Sequence, residues 1–141
     1  MTPEEMDRVL ADHIKYETND DVDGVISTFT DDIEHDVVGF PAGPQRGTAA
    51  VRRFYQHLFA LLEEGSVKPV RRWYSDDALI DESIYTGVVD GRLVGLEGKK
   101  GRASFRLLHI FEFRDGRIGR ENVWQDSDAI RAQLGAQGVV A

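Results

Sequence analysis

The chain contains no cysteine, which excludes disulfides, thiolate nucleophiles and cysteine-ligated metals. It has no apolar run approaching the roughly 20 residues that cross a bilayer, so no membrane partner is expected. A basic face is missing too. The net charge is −8, and the pairs Arg52-Arg53, Arg71-Arg72 and Lys99-Lys100 sit among acids, so no nucleic-acid partner is expected. Gly39, Gly43 and Gly47 lack the strand-turn-helix setting and the lysine of a phosphate-binding loop. The serines lack a nucleophile-elbow context. The four histidines have no short helical spacing among themselves, so no metal site and no cofactor is assigned. The first residues carry neither the basic nor the apolar region of a secretory signal, and a cytoplasmic location is the expectation.

What is present describes one folded domain over residues 1–141. A hydrophobic fraction of 41% with 30% charged residues is enough to build a core without staples. Thr2-Pro3-Glu4-Glu5 offers a capping threonine, a proline at the first helical position and a glutamate placed to close the box. Met6, Val9, Leu10, His13, Ile14 and Glu17 follow at three-four spacing, so His13 rides on the apolar stripe. Asn19-Asp20-Asp21 breaks this pattern, and Val22, Val25, Ile26 and Phe29 mark a short second helix. Residues 33–38 read as a brief strand. Thr48 is placed to cap a longer helix with Val51, Phe54, Tyr55, Leu58, Leu61 and Leu62 on one side.

From Val67 onward the period changes to two. Residues 67–74, 78–88, 93–96, 103–113 and 117–125 read as strands, with Asp90-Gly91 and Asp115-Gly116 as turns. Helices at the front and five or six strands behind them imply an α+β fold, a curved and mostly antiparallel sheet wrapped around a long helix. Residues 126–135 suggest a short terminal helix, with Asp126 as its cap, and residues 136–141 are expected to fray. Alternation puts His109 on one face with Phe105, Leu107, Phe111 and Phe113. An imidazole pointing into an apolar interior needs a hydrogen-bond partner or a ligand, so it is either a structural histidine or part of a site.

The stretch Thr28-Phe29-Thr30-Asp31-Asp32-Ile33-Glu34-His35-Asp36-Val37-Val38-Gly39, the Gly47-to-Phe54 entry into the long helix, and His109 through the Asp115-Gly116-Arg117-Ile118 turn carry a resemblance. So does the ending Trp124-Gln125-Asp126 with Gln133-Leu134-Gly135. Together they resemble the nuclear transport factor two superfamily, in particular its SnoaL-like and ketosteroid isomerase-like members. The resemblance implies a conical barrel of mixed, mostly antiparallel sheet with a deep apolar pocket, commonly presented on a homodimer. It does not fix the chemistry, since the superfamily spans isomerases, dehydratases, polyketide cyclases, epoxide hydrolases and proteins without catalysis.

The same resemblance places Asp36 where isomerase-like members carry a proton-shuttling aspartate. A carboxylate in an apolar pocket is suited to that work, because burial raises its pKa. It places His109 where those members hold an acid that donates to the substrate oxygen, and His13 where they hold a tyrosine. Asp36, His109 and His13 are therefore the expected catalytic set. Alternation puts Glu34 on the face of Asp36 and turns His35 outward, to the surface or an interface. Phe54, Tyr55, Phe111, Val123 and Trp124 are expected to line the cavity, while His57 is expected at the surface. Glu82 alternates with Ile80 and Ile84, and Glu121 shares the face of Val123, so both carboxylates are candidates for the substrate-binding wall. Val123 itself stands where SnoaL-like cyclases carry a catalytic aspartate before the tryptophan, a departure that counts against aldol cyclisation. Epoxide hydrolysis would need an aspartate-arginine-aspartate set that spacing does not locate. The expected function is acid-base proton transfer, isomerisation or dehydration, on a small apolar carbonyl compound. The rival is a noncatalytic ligand-binding or dimeric scaffold protein.

Overall fold

The computed structural model describes residues 1–137; the remaining four lie outside the described residues, as does most of the segment expected to fray. Helix α1 spans Pro3–Thr18 and starts with the expected capping box, Thr2 accepting from the Glu5 amide while Glu5 accepts from that of Thr2. Its buried stripe is Met6, Leu10 and His13. After α2 (Val22–Ser27) come strand β1 (Phe29–Val37), the short β2 (Gln45–Arg46) and helix α3 (Thr48–Leu61). Gly47, at φ +82°, occupies the cap of α3, so Thr48 is its first residue and not its cap. Strands β3 (Leu62–Tyr74), β4 (Ala78–Asp90), β5 (Lys100–Arg114) and β6 (Arg117–Gln125) follow, and helix α4 (Ser127–Gln137) closes the order. The amide of Ala129 donates to Asp126 at 3.1 Å, the cap expected there.

The strands form one six-stranded sheet in the order β2-β1-β6-β5-β4-β3. Among the described residues only the β1–β6 pair, second from the β2 edge, is parallel. The sheet is therefore mixed and mostly antiparallel, and it curls around α1 and α3 into the cone of the nuclear transport factor two fold. A bulge at Glu64, whose φ is +55°, helps β3 bend. The neighbouring Gly65 is required there, because a Cβ would fall 2.3 Å from the Tyr85 hydroxyl. The β5–β6 hairpin turns at Asp115 and Gly116, both at positive φ, as the Asp-Gly pair predicts.

Residues 93–96 are not a strand. A 3-10 turn covers Gly91–Val94, because the Asp90 carboxylate accepts from the Arg92 amide and Gly95 ends the turn in the left-handed region. The apolar residues that mimicked a strand, Leu93 and Val94, are buried against Phe105, Ile130 and Leu134. Beyond the end of β6, α4 covers the exposed edge of β5. The Gln133 side chain imitates a strand there, accepting from the Ser104 amide and donating to the Ser104 carbonyl, both at 2.8 Å.

Candidate active site

The inner face of the sheet is set by alternation around its largest apolar residues. In β1, Ile33 and Val37 point inward at 0% and 7% exposure, and His35 between them goes with them at 2%. Asp36 consequently turns outward. It is half-buried and accepts from the Asn122 amide at 3.4 Å, and it does not line the cavity. The expected pairing of Asp36 with His109 in one cavity is thus corrected, and so is the outward placement of His35. Strand β4 turns Leu79, Asp81, Ser83 and Tyr85 inward, which leaves Glu82 with Ile80 and Ile84 on the outer face. Both faces of β4 are apolar, so the sequence pattern alone does not choose between them. Trp124 follows the inward Val123 and is therefore outward, 40% exposed.

One cavity runs between the sheet, α1 and α3. His13, Phe54, Tyr55, His109, Phe111, Glu121 and Val123, all expected at a site, line it. His35, Asp81, Ser83 and Glu17 line it as well, and none of these four was expected there. The exposed Thr18, Asp20 and Glu64 lie at its rim. His57 is exposed, as expected.

One end of the cavity is charged. Glu121, 1% exposed, places Oε2 3.0 Å from His35 Nε2 and 3.4 Å from the Tyr55 hydroxyl. Its Oε1 lies 3.1 Å from His13 Nε2. The Glu17 carboxylate, one turn along α1, makes a close contact with the same nitrogen. On the other side of the His13 ring, Nδ1 stands 3.0 Å from the Thr28 hydroxyl, which donates to the Val25 carbonyl at 2.6 Å. The Thr28 oxygen therefore accepts, and Nδ1 carries a hydrogen.

Burial pushes the His13 imidazole down, but the carboxylates of Glu17 and Glu121 outweigh it and hold the ring at about 10. Burial likewise pushes Glu121 up, while His35 and His13 hold its carboxyl well below the usual range. Burial first, and then the Glu121 charge, push the Tyr55 phenol well above its ordinary value. The phenol keeps its proton and donates it to Glu121. Because both Tyr55 and His35 Nε2 face the same carboxylate oxygen, His35 carries its hydrogen on Nε2. Its Nδ1 is left buried with no hydrogen-bond partner among the described residues.

The opposite wall, on β4 and β5, is different. Asp81 is 2% exposed and is bound by Arg72 at 2.6 Å, which reaches on to Asp7 at 3.0 Å. The partner of Asp81 in the β4–β5 register is His109. The His109 ring stacks on Phe111 with centroids 5.2 Å apart and planes 7° apart. Burial pushes its pKa below 6.5, against the smaller opposing pull of Glu121, Glu17 and Asp81. His109 is thus a neutral imidazole in the cavity wall. The Ser83 hydroxyl, two residues beyond Asp81, is buried without a hydrogen-bond partner among the described residues.

Residues 3–121 match the sequence profile of the SnoaL-like domain. The chain belongs to the SnoaL-like family. Among curated proteins no sequence match is found. Solved structures share the fold. An LEH-like epoxide hydrolase of M. tuberculosis is 22% identical with a TM-score of 0.73, over 94% of this chain and 90% of that one. A candidate SnoaL-like polyketide cyclase from Shewanella denitrificans is 17% identical with a TM-score of 0.81, over 96% and 100%. A protein of ketosteroid isomerase-like fold from Catenulispora acidiphila, solved with trimethylamine, is 15% identical with a TM-score of 0.76, over 96% and 95%. At these identities the likeness is one of fold.

Proposed function

We propose that this SnoaL-like protein is an acid-base enzyme that moves a proton on a small, mainly apolar compound bearing a carbonyl, in isomerisation or in elimination of water. The observation that carries this reading is His109, a neutral imidazole with no hydrogen-bond partner among the described residues, set in the wall of an otherwise largely apolar cavity. His109 takes the base role that the resemblance gave to Asp36. It removes a proton from the carbon beside the carbonyl, and the electron pair moves onto the carbonyl oxygen. The free hydroxyl of Ser83 supplies a donor for that oxygen. The imidazolium then returns the proton to another carbon, or to a β-hydroxyl that departs as water. Asp81, cross-strand from His109, favours the charged ring electrostatically. The phenyl of Phe111 and the aromatic faces of Phe54 and Tyr55 hold the apolar body and exclude water.

A second reading, epoxide opening, has one observation in its favour. Arg72 joins Asp7 and Asp81, an aspartate-arginine-aspartate set invisible in the spacing. Only Asp81 of these three residues lines the cavity, which ranks this reading second. Turnover assays with enones, β-hydroxyketones and epoxides decide between them. The first reading expects conversion of enones or β-hydroxyketones that is lost in His109→Gln and kept in Asp7→Asn. Apolar carbonyl ligands that bind without conversion would leave a noncatalytic binding protein. The molecule is further proposed to act as a homodimer through the outer face of its sheet.

A further inference from the structure

We propose that His13, Glu17 and Glu121 form a binding site for a divalent first-row transition metal of the zinc class at the charged end of the cavity. His13 Nε2 and one oxygen from each carboxylate all lie within 4.8 Å of one another. Donors about 2.0–2.2 Å from a tetrahedral zinc ion stand roughly 3.3 Å apart. The 3.1 Å between His13 Nε2 and Glu121 Oε1 is close to that spacing. Glu17 approaches Nε2 too closely for both to ligate as placed, but its side chain is 28% exposed and free to swing by a rotamer change.

Two buried atoms, His13 Nε2 and Glu121 Oε1, meet as an ion pair at 3.1 Å, the place where such an ion would sit between them. His13 is 0% and Glu121 1% exposed, yet neither His13 Nε2 nor Glu121 Oε1 has an aligned hydrogen bond among the described residues. Since Nδ1 is committed as a donor to Thr28, the neutral ring turns the Nε2 lone pair toward two carboxylates. Such an arrangement requires a positive charge between them. A proton on Nε2 supplies one charge against two carboxylates, whereas a divalent cation balances both and uses the lone pairs of all three ligands.

The surroundings are those of a supported ligand set. The Thr28 hydroxyl fixes the His13 tautomer and ring plane, and His35 and Tyr55 occupy Glu121 Oε2, so that Oε1, which faces His13 Nε2, is the oxygen a metal would take. One nitrogen and two carboxylate oxygens favour zinc, cobalt, iron or manganese over calcium and magnesium, which prefer all-oxygen shells. Three protein ligands leave a further position for water or for an oxygen of whatever occupies the cavity. Spacing among the histidines gave no such expectation. The spacing that counts is His13 to Glu17, four residues apart on α1, and β6 brings the third ligand.

The test is a calorimetric titration of tag-free, chelator-treated protein with Zn²⁺, alongside the visible spectrum on adding Co²⁺. One equivalent is expected to bind, and Co²⁺ is expected to give the intense bands of a four-coordinate site. Glu17→Gln, at the partly exposed ligand, keeps the fold, and His13→Gln is checked for folding by circular dichroism. Each is expected to weaken binding by at least the roughly tenfold to hundredfold that loss of outer-shell partners alone causes, while His57→Gln at the exposed histidine changes nothing. Absence of binding to the wild-type protein, or binding that survives Glu17→Gln and His13→Gln unchanged, overturns the site. The proposal does not depend on the reaction proposed above. Metal binding is read without turnover, and loss of activity in His109→Gln leaves this titration unaffected.

Discussion

At the scale of single residues, the site turns on which of two adjacent side chains in β1 faces inward. The sequence carried the answer. His35 lies between Ile33 and Val37 at period two, and two aliphatic neighbours mark its face as the inner one, while the acids Glu34 and Asp36 share the other. The family pattern pulled the reading to Asp36 instead. His109 was legible for the same reason that His35 should have been, since it alternates with Phe105, Leu107, Phe111 and Phe113. Asp81 and Ser83 were not legible, because β4 is apolar on both faces. The charge of Asp81 is tolerated inside only through Arg72, which pairs with it across β3 and β4. Two outcomes follow. Asp36→Asn, outside the cavity, is expected to leave turnover unchanged and stability within roughly ±0.5 kcal/mol, as measured by steady-state rates and urea unfolding. His109→Gln is expected to lower kcat by roughly a hundredfold or more. Because a base must be deprotonated and burial depresses this imidazole, wild-type kcat/KM should fall on the acid side with a midpoint below 6.5. A midpoint above 6.5, or an acid limb that persists in His109→Gln, would remove His109 from the base role.

At the scale of elements, helices were easier to place than the faces of strands. The capping box and three-four stripe of α1 are local signals, and they delivered His13 and Glu17 to the interior together. The 3-10 turn after β4 was misread because burial of Leu93 and Val94 comes from α4, a contact distant in sequence. The polar network joins elements in a similar way. Thr28 ends α2, yet its hydroxyl is the acceptor that holds the ring of His13 on α1. Thr28→Val keeps the shape and removes that acceptor, leaving a buried N–H unpaired. A loss of about 1–3 kcal/mol in unfolding free energy is expected. The measurement is equilibrium urea denaturation, and a stability equal to wild type would mean that Thr28 does not fix the ring.

At the scale of the whole molecule, the inner face of the sheet is accounted for by the helices and the cavity, but the outer face is not. Trp73, Ile80 and Ile110 pair in one apolar row across β3 to β5, and in the next row Leu108 pairs with Trp124 across β5 and β6. Trp73, Leu108 and Trp124 are 45%, 36% and 40% exposed, and Val70 beyond them is 51% exposed. Arg71 stacks over the Trp73 ring at 5.5 Å, Glu82 continues the second row between Leu108 and Arg71, and Arg106 stands in the row beyond it on the same face. Contiguous apolar surface with charges of both signs at its margin suits an isologous contact, in which each arginine of one subunit can meet an acid of the other. The cavity opens from the inner face, so such a contact would leave its rim clear. Sedimentation of the wild-type protein at micromolar concentration is expected to give a dimer, and Leu108→Glu with Trp124→Glu a folded monomer, because two buried like charges would face their copies across the axis. A wild-type monomer at those concentrations would overturn the homodimer, and a dimer that survives the double substitution would place the contact on another face.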